Sequence, residues 1–409
     1  MAEFFASVHL CFIQYTGLGK DRIMKSRVLD ACLTILGIAG LMVYVLACAP
    51  SFSPDGKKVA FPVLDYDNEQ TSVFVYDINK NKFETVAEFK DPNHGGDSDD
   101  DMDIAYSVQW MPDGKQILIN GASLIMILPV ESEGPTRIFQ PQEDMEFWNI
   151  LPPPIVGNYQ FIVNPDKPEL YRVNVQNWET QSFQLAFSQD DLGIPFSDGE
   201  QLYFTVDLEK EDQKFCSIMK LNVENGAYTP VAQINMEECD ELQAWSWLKL
   251  GGDRFAAISK YQDRVHLVLV QGNSIEKMIP IGEKRSGMNI GNLVPSRDGR
   301  SIFAAFSYHD QLDQFGVMEI PFDGGETREM VLFAGDGPMD DQINPIAFHI
   351  ALSPDGRKIA ASSVSGLEYT SLKPEDRALY FIDVGHPEWK VNKVRVPLTS
   401  ASNKIAVER

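Results

Sequence analysis

Beyond residue 48, apolar residues fall in short runs separated by polar turns, and no stretch sustains a 3.6-residue apolar period. Runs of that length bounded by Gly, Pro, Asp and Asn indicate β-strands, so helices should be few and short. Four segments are near copies of one another: SFSPDGKKVAF (51–61), VQWMPDGKQILI (108–119), LVPSRDGRSIFAAF (293–306) and IALSPDGRKIAAS (350–362). Each sets a turn rich in Pro, Asp and Gly between two apolar strands. Pro presets φ, Asp bonds to its own backbone, and Gly takes the positive φ that closes the hairpin. Weaker copies are IPFSDGEQLYFTV (194–206), WLKLGGDRFAAIS (247–259) and LPPPIVGNYQFIV (151–163).

With the turn glycines as markers, the copies centre on residues 56, 114, 157, 199, 252, 299 and 356, spaced by roughly 50 residues. A second hairpin follows each turn, as in SVFVYDINKNKFETVAEF after the first. Seven units of about 50 residues with four strands each suit propeller blades better than any solenoid repeat. The fold expected for residues 48–409 is therefore all-β, a seven-bladed β-propeller. Asp55, Gly56, Asp113, Gly114, Asp298, Gly299, Asp355 and Gly356 recur once per blade at a turn. Residues that recur in this way shape the fold; a catalytic acid would occur once.

The Ser-Pro-Asp-Gly-x-x-Ile/Val-Ala motif resembles the repeat of TolB-like propellers, a family related in shape to Trp-Asp repeat proteins. The resemblance spans about residues 49–400 and is strongest at 51–61, 293–306 and 350–362. It implies a β-propeller and an envelope location. It does not imply one activity, because the same repeats occur in binding proteins and as the lid of serine peptidases. Those peptidases carry a Gly-x-Ser-x-Gly elbow, a motif that does not occur in this sequence.

Ahead of the repeats, Ala31 to Ala47 reads ACLTILGIAGLMVYVLA, preceded by Lys25 and Arg27. A positive flank, an apolar middle and a small-residue exit make a bacterial export signal. The exit Val45-Leu46-Ala47-Cys48 resembles the lipobox of bacterial lipoproteins, which implies cleavage before Cys48 and lipidation of that cysteine. The alternative is a signal anchor, since the run is near the length that spans a bilayer. Residues 24–47 form a complete signal from Met24, and residues 1–23 are read as lying upstream of the biological start. Ala49, which is not the Asp that retains lipoproteins in the inner membrane, resembles the outer-membrane sorting pattern. The expected location is the cell envelope, outside the cytoplasm and tethered to a membrane.

The chain carries 35 Lys+Arg against 59 Asp+Glu, a net charge of −24, and its pI is near 4.6. Such a surface repels polyanions and argues against a nucleic-acid partner. The acidity concentrates in DPNHGGDSDDDMD (91–103), where Asp97, Asp99, Asp101 and Asp103 alternate and could offer oxygen ligands to calcium. The EF-hand pattern fails there, because Met102 replaces the glycine and Val108 the closing Glu. A solvated acidic loop is the plainer reading, and no other cofactor is indicated. His309 could reach a tunnel mouth, with a loop histidine bonded to a neighbour as the plainer reading, while Trp245 and Trp247 share a strand face, either packed between blades or presented as a platform. Cys216 and Cys239 can form one bridge in an oxidising compartment, provided that the 235–238 segment folds back. The function expected is binding or scaffolding of a protein or envelope polymer. The rival is a propeller enzyme of lactonase, lyase or glycosidase type, using carboxylates or calcium in the central channel.

Overall fold

The computed structural model describes residues 50–65, 70–90, 105–121, 124–130, 136–139, 154–164, 167–187, 192–193, 195–210, 213–235, 247–261, 264–281, 288–308, 314–334, 349–362, 378–397 and 406–407. Their strands group into seven sheets, each an antiparallel meander in chain order. Blade one holds β1 (Ser51–Phe52), β2 (Lys58–Asp65), β3 (Gln70–Asp77) and β4 (Lys82–Lys90). Blade two holds β5 (Ala105–Trp110), β6 (Gln116–Gly121), β7 (Ile125–Pro129) and β8 (Arg137–Phe139). Blade three holds β9 (Ile155–Val156), β10 (Tyr159–Val163), β11 (Glu169–Asn174) and β12 (Thr180–Gln184). Blade four holds β13 (Phe196–Ser197), β14 (Leu202–Lys210), β15 (Gln213–Leu221) and β16 (Tyr228–Asn235). Blade five holds β17 (Leu248–Gly251), β18 (Arg254–Tyr261), β19 (Arg264–Gln271) and β20 (Ser274–Pro280). Blade six holds β21 (Met288–Pro295), β22 (Ser301–Tyr308), β23 (Gln314–Pro321) and β24 (Arg328–Ala334). Blade seven holds β25 (Ile350–Leu352), β26 (Lys358–Ser362), β27 (Ala378–Asp383) and β28 (Lys390–Arg395). A last strand, β29 (Ala406–Val407), pairs in parallel with β4 and widens blade one to five strands. No helix occurs among the described residues.

The apolar runs have two destinations. In β26, Ile359 and Ala361 pack toward blade six, while the intervening Ala360 packs toward blade one. In β22, Ile302, Ala304 and Phe306 face blade five, and Phe303 and Ala305 face blade seven. Because successive strand residues point to opposite faces and both faces of a blade are covered, these strands read as continuous hydrophobic stretches. Seven buried clusters result, one at every junction between neighbouring blades. The seventh joins blade seven to blade one through Phe52, Phe61 and Tyr76 on one side and Leu379 and Phe381 on the other. The ring is thus closed by side-chain packing.

All seven marker glycines have positive φ, among them +70° at Gly56 and +69° at Gly356. That is the left-handed region in which a Cβ is strained, so the turn pattern in the sequence has a direct backbone cause. The first strands of neighbouring blades touch, β1 with β5 and β25, β17 with β13 and β21, and β21 with β25, which places them around the axis. The fourth strands lie at the periphery.

Candidate functional site

The Ser-Pro-Asp-Gly turns are self-contained. Ser53 Oγ donates to Asp55 Oδ1 at 2.7 Å, and the same oxygen accepts the Lys57 amide at 3.1 Å. Ser296 with Asp298, and Ser353 with Asp355, repeat the arrangement at 2.8 and 2.6 Å. Asp113 and Asp198 accept the amide two residues on without the serine. The serine hydrogen bond, more than any other cause, holds the carboxyls of Asp55, Asp298 and Asp355 below the ordinary carboxylate value. Neighbouring turns also meet. A Cβ built on Gly56 would lie 3.5 Å from Pro354 Cδ, and one on Gly114 3.5 Å from Pro54 Cδ. Arg297 donates to the Asp355 carbonyl at 2.7 Å. The turns of blades six, seven, one and two therefore form a continuous arc on one face of the ring, built to hold shape.

The axial strands supply little acid chemistry. Their sequences, SF, AYSVQW, IV, FS, LKLG, MNIGNLVP and IAL, contain no Asp or Glu. Their one cation is Lys249 in β17, which bonds the Gly252 carbonyl and lies 4.6 Å from the Phe255 ring centroid. Burial lowers its pKa, against the opposing pull of Asp253 and Asp198. Beside it, burial together with Asp198 pushes the Tyr203 hydroxyl up to about 12.

At the periphery, cations join one blade to the next. Arg137 at the start of β8 donates to the Gln176 carbonyl of blade three and lies over the Trp178 ring. Arg172 reaches the Val223 carbonyl of blade four. Lys277 reaches the Phe322 and Asp323 carbonyls of blade six. Arg328, which opens β24, donates to the Pro387 carbonyl of blade seven at 2.7 Å and lies 4.4 Å over Trp389.

The junction from blade seven to blade one has no such staple among the described residues. Lys390 opens β28 as Arg328 opens β24, but among the described residues its ammonium has no partner. In place of a staple there is a cavity of about 270 Å³, lined by Tyr76, Ile78, Lys358, Phe381, Lys390 and Asn392, with Asp383 and Val391 also at its wall. Tyr76 and Phe381 form its floor, with ring centroids 5.4 Å apart. One oxygen of the Asp383 carboxylate, across the strand pair from Lys390, accepts the Gly385 amide at 3.1 Å.

Exposed apolar side chains also mark the periphery. Ile138, Val331 and Val391 are 44, 45 and 41% exposed, and they lie in β8, β24 and β28, the fourth strands of blades two, six and seven.

Of the residues singled out in the sequence, Trp247 is buried between blades four and five, stacked on Phe196. That is the packing role. Cys216 is buried opposite Asp207 and Ile234, with no cysteine partner among the described residues. Its expected partner Cys239 lies outside the described residues, as do Cys48, Asp97, Asp99, Asp101, Asp103, Trp245 and His309. Lys358, Lys390 and the β28 edge attracted no attention in the sequence; the run KVNKVR in so acidic a chain was the signal available.

No protein-family model matches the sequence, and no curated protein sequence matches it. Among solved structures, the chain is similar to one in a crystal structure of the mitotic checkpoint complex, with a TM-score of 0.50, 15% identity, and coverage of 78% of this chain and 84% of that one. It is also similar to the β-propeller domain of the Trilobed protease from Pyrococcus furiosus, with a TM-score of 0.44, 16% identity and coverage of 68 and 82%. For the C-terminal WD40 domain of Sif2, the TM-score is 0.42 at 11% identity, with coverage of 78 and 94%. At these identities the likeness is one of fold, and the protein is a seven-bladed β-propeller.

Proposed function

We propose that this protein is an exported, membrane-tethered β-propeller that works as a binding or scaffold module, with a protein or an envelope polymer as its ligand. The observation that carries the reading is the placement of exposed apolar side chains on outermost strands, Ile138, Val331 and Val391. Apolar groups beside an open sheet edge favour pairing with another chain. The mitotic checkpoint complex is by its name an assembly, which supports a protein partner in general terms. Export and tethering rest on the signal-like run ending at Cys48. The enzymatic rival would have to take its carboxylates from loops, since the axial strands contain none among the described residues. Every described carboxyl whose pKa is moved is moved down: Asp55, Asp77, Glu169, Asp298 and Asp355. A general acid would need the opposite shift.

The test places a photo-crosslinking amino acid at Ile138, Val331 or Val391, one at a time, in the producing cell. Binding predicts a discrete crosslinked product from at least one site and none from the exposed turn position Lys57. Turnover of lactones, uronate oligomers or aryl glycosides by the pure protein, with no crosslink from any edge, would overturn the reading in favour of an enzyme.

A further inference from the structure

We propose that the outer edge of blade seven docks an extended acidic segment of a protein partner by strand addition, with one of its carboxylates seated at Lys390 in the adjoining cavity. The inference rests on the binding reading above and specifies its site and its ligand chemistry. Three independent features converge on this edge.

The first is charge. β28 reads KVNKVR, so Lys390, Lys393 and Arg395 fall within six residues without an acid, in a chain whose net charge is −24. All three are exposed. Within the same hairpin the acids are Asp383, which accepts the Gly385 amide, and Glu388 in the turn, while Lys393 lies over the Tyr380 ring. An acidic segment is the partner that this edge attracts and the rest of the surface repels.

The second is the backbone. Among the described residues β28 ends its sheet, so its outward N–H and C=O groups have no strand partner there and can pair with an added strand. The neighbouring blade shows that a fourth strand here accepts one. β29 lies in parallel on β4, with Ala406 opposite Glu88 and Val407 opposite Phe89.

The third is the cavity. Side chains alternate along β28, so Lys390 and Asn392 point to the seam with blade one, where they line the space beside Tyr76 and Ile78. Val391, Lys393 and Arg395 share the other face. An added strand would meet an apolar side chain opposite Val391 and carboxylates opposite Lys393 and Arg395. On its other face a carboxylate would reach the Lys390 ammonium, which makes no ion pair among the described residues, at a wall where Lys358 offsets the charge of Asp383.

The probe is a fluorescein-labelled peptide of about ten Glu and Val residues, with Glu at the positions set opposite Lys390, Lys393 and Arg395 and Val at the position set opposite Val391, titrated by anisotropy into the whole protein. Binding is expected at low salt, weaker at high salt. The triple variant Lys390→Glu, Lys393→Glu, Arg395→Glu should raise Kd at least about tenfold, since three surface charge contacts are removed and reversed. Its melting temperature should stay within a degree or two, because these side chains are exposed. Backbone N-methylation of alternate peptide residues should abolish binding. Equal binding by the N-methylated peptide would reduce the site to unspecific charge attraction and overturn strand addition. Equal binding by the triple variant would overturn the location. If the peptide fails while the same variant abolishes a monomer–dimer equilibrium, the occupant is a second copy; if it fails while anionic vesicles bind, the occupant is a membrane. If edge crosslinks from Ile138 or Val331 persist in the triple variant and the peptide fails, the binding reading survives and this site does not.

Discussion

Replacing Phe381 with alanine tests how the ring closes. Blade one is built from residues 51–90 and blade seven from residues 350–395, and the one late strand that joins blade one, β29, lies on the outer edge beyond β4. What holds the seam is the cluster of Phe52, Val59, Phe61, Val63, Phe74 and Tyr76 against Ala360, Leu379, Phe381 and Val396. Phe381 is 7% exposed and meets two rings, Phe52 edge-on at 6.4 Å and Tyr76 at 5.4 Å. Truncating a buried phenylalanine costs about 3–5 kcal/mol, from lost transfer energy and the cavity left behind. The lower end applies here, because the ring already borders the seam cavity, which removes part of its close packing. The expected loss is therefore about 3 kcal/mol in guanidinium unfolding, with Val331→Ala, at a 45% exposed site, as a control within about 0.5 kcal/mol. In a ring that stood open between blades seven and one, Phe381 would already face water and its truncation would cost almost nothing. A loss below about 1 kcal/mol would refute the closed seam.

Four further outcomes are expected. Gly356→Ala should destabilise more than Gly299→Ala by about 1–2 kcal/mol, because both have positive φ but a Cβ at 356 would stand 2.5 Å from Arg297 Cβ while none lies within 4 Å at 299; equal losses in chemical denaturation would show that the turn arc is loosely packed. The carboxyls of Asp55, Asp298 and Asp355 are held below their ordinary value, so the folded state binds fewer protons, and their stabilisation, present above about pH 4, is lost as pH falls through the lower folded values; melting curves of the triple variant Ser53→Ala, Ser296→Ala, Ser353→Ala should fall less steeply with acid than those of the unaltered protein. Calcium should leave the melting temperature unchanged, and a micromolar affinity erased by replacing Asp97, Asp99 and Asp101 with Asn would contradict the solvated-loop reading. Cys48→Ser should release the protein from the membrane without unfolding it, and an intact peptide spanning Leu41 to Pro54 with an unmodified Cys48 in mass spectrometry would leave the signal anchor in place of the lipid.

Blade number and turn chemistry were readable in the sequence because both are local. Ser53-Pro54-Asp55-Gly56 encodes its hydrogen bonds and its positive φ within four residues, and six more turns repeat the backbone solution at Gly114, Gly157, Gly199, Gly252, Gly299 and Gly356. The strand runs were equally plain, since burial on both faces leaves no polar alternation to misread, as Ile359, Ala360 and Ala361 illustrate. Register is subtler. The pairing next to the turn, Leu221 with Tyr228, would set Cys216 opposite residue 233 if continued, whereas it faces Ile234. The bulge between Ile218 and Met219 inserts one residue into the partner strand, and no side chain in FCSIMKL announces it.

The candidate site was hidden for a different reason. KVNKVR is visible as a basic run, but a charge run on a strand is ordinarily a solvated face. It gains meaning here only from its position. β28 is outermost, its opening lysine occupies the place from which Arg137 and Arg328 staple other junctions, and its neighbour across the seam offers Tyr76 and Ile78. Each of these facts depends on which blade comes to lie beside blade seven, and the contact that decides it, Phe52 on Phe381, joins the two ends of the repeat array. Composition and period cannot encode such a contact, because every blade supplies equivalent apolar side chains to whichever neighbour it meets. Closure therefore selects the site: it sets Lys390 beside blade one without the carbonyl partner that the corresponding arginines of blades two and six possess, and it leaves that charge available to a ligand.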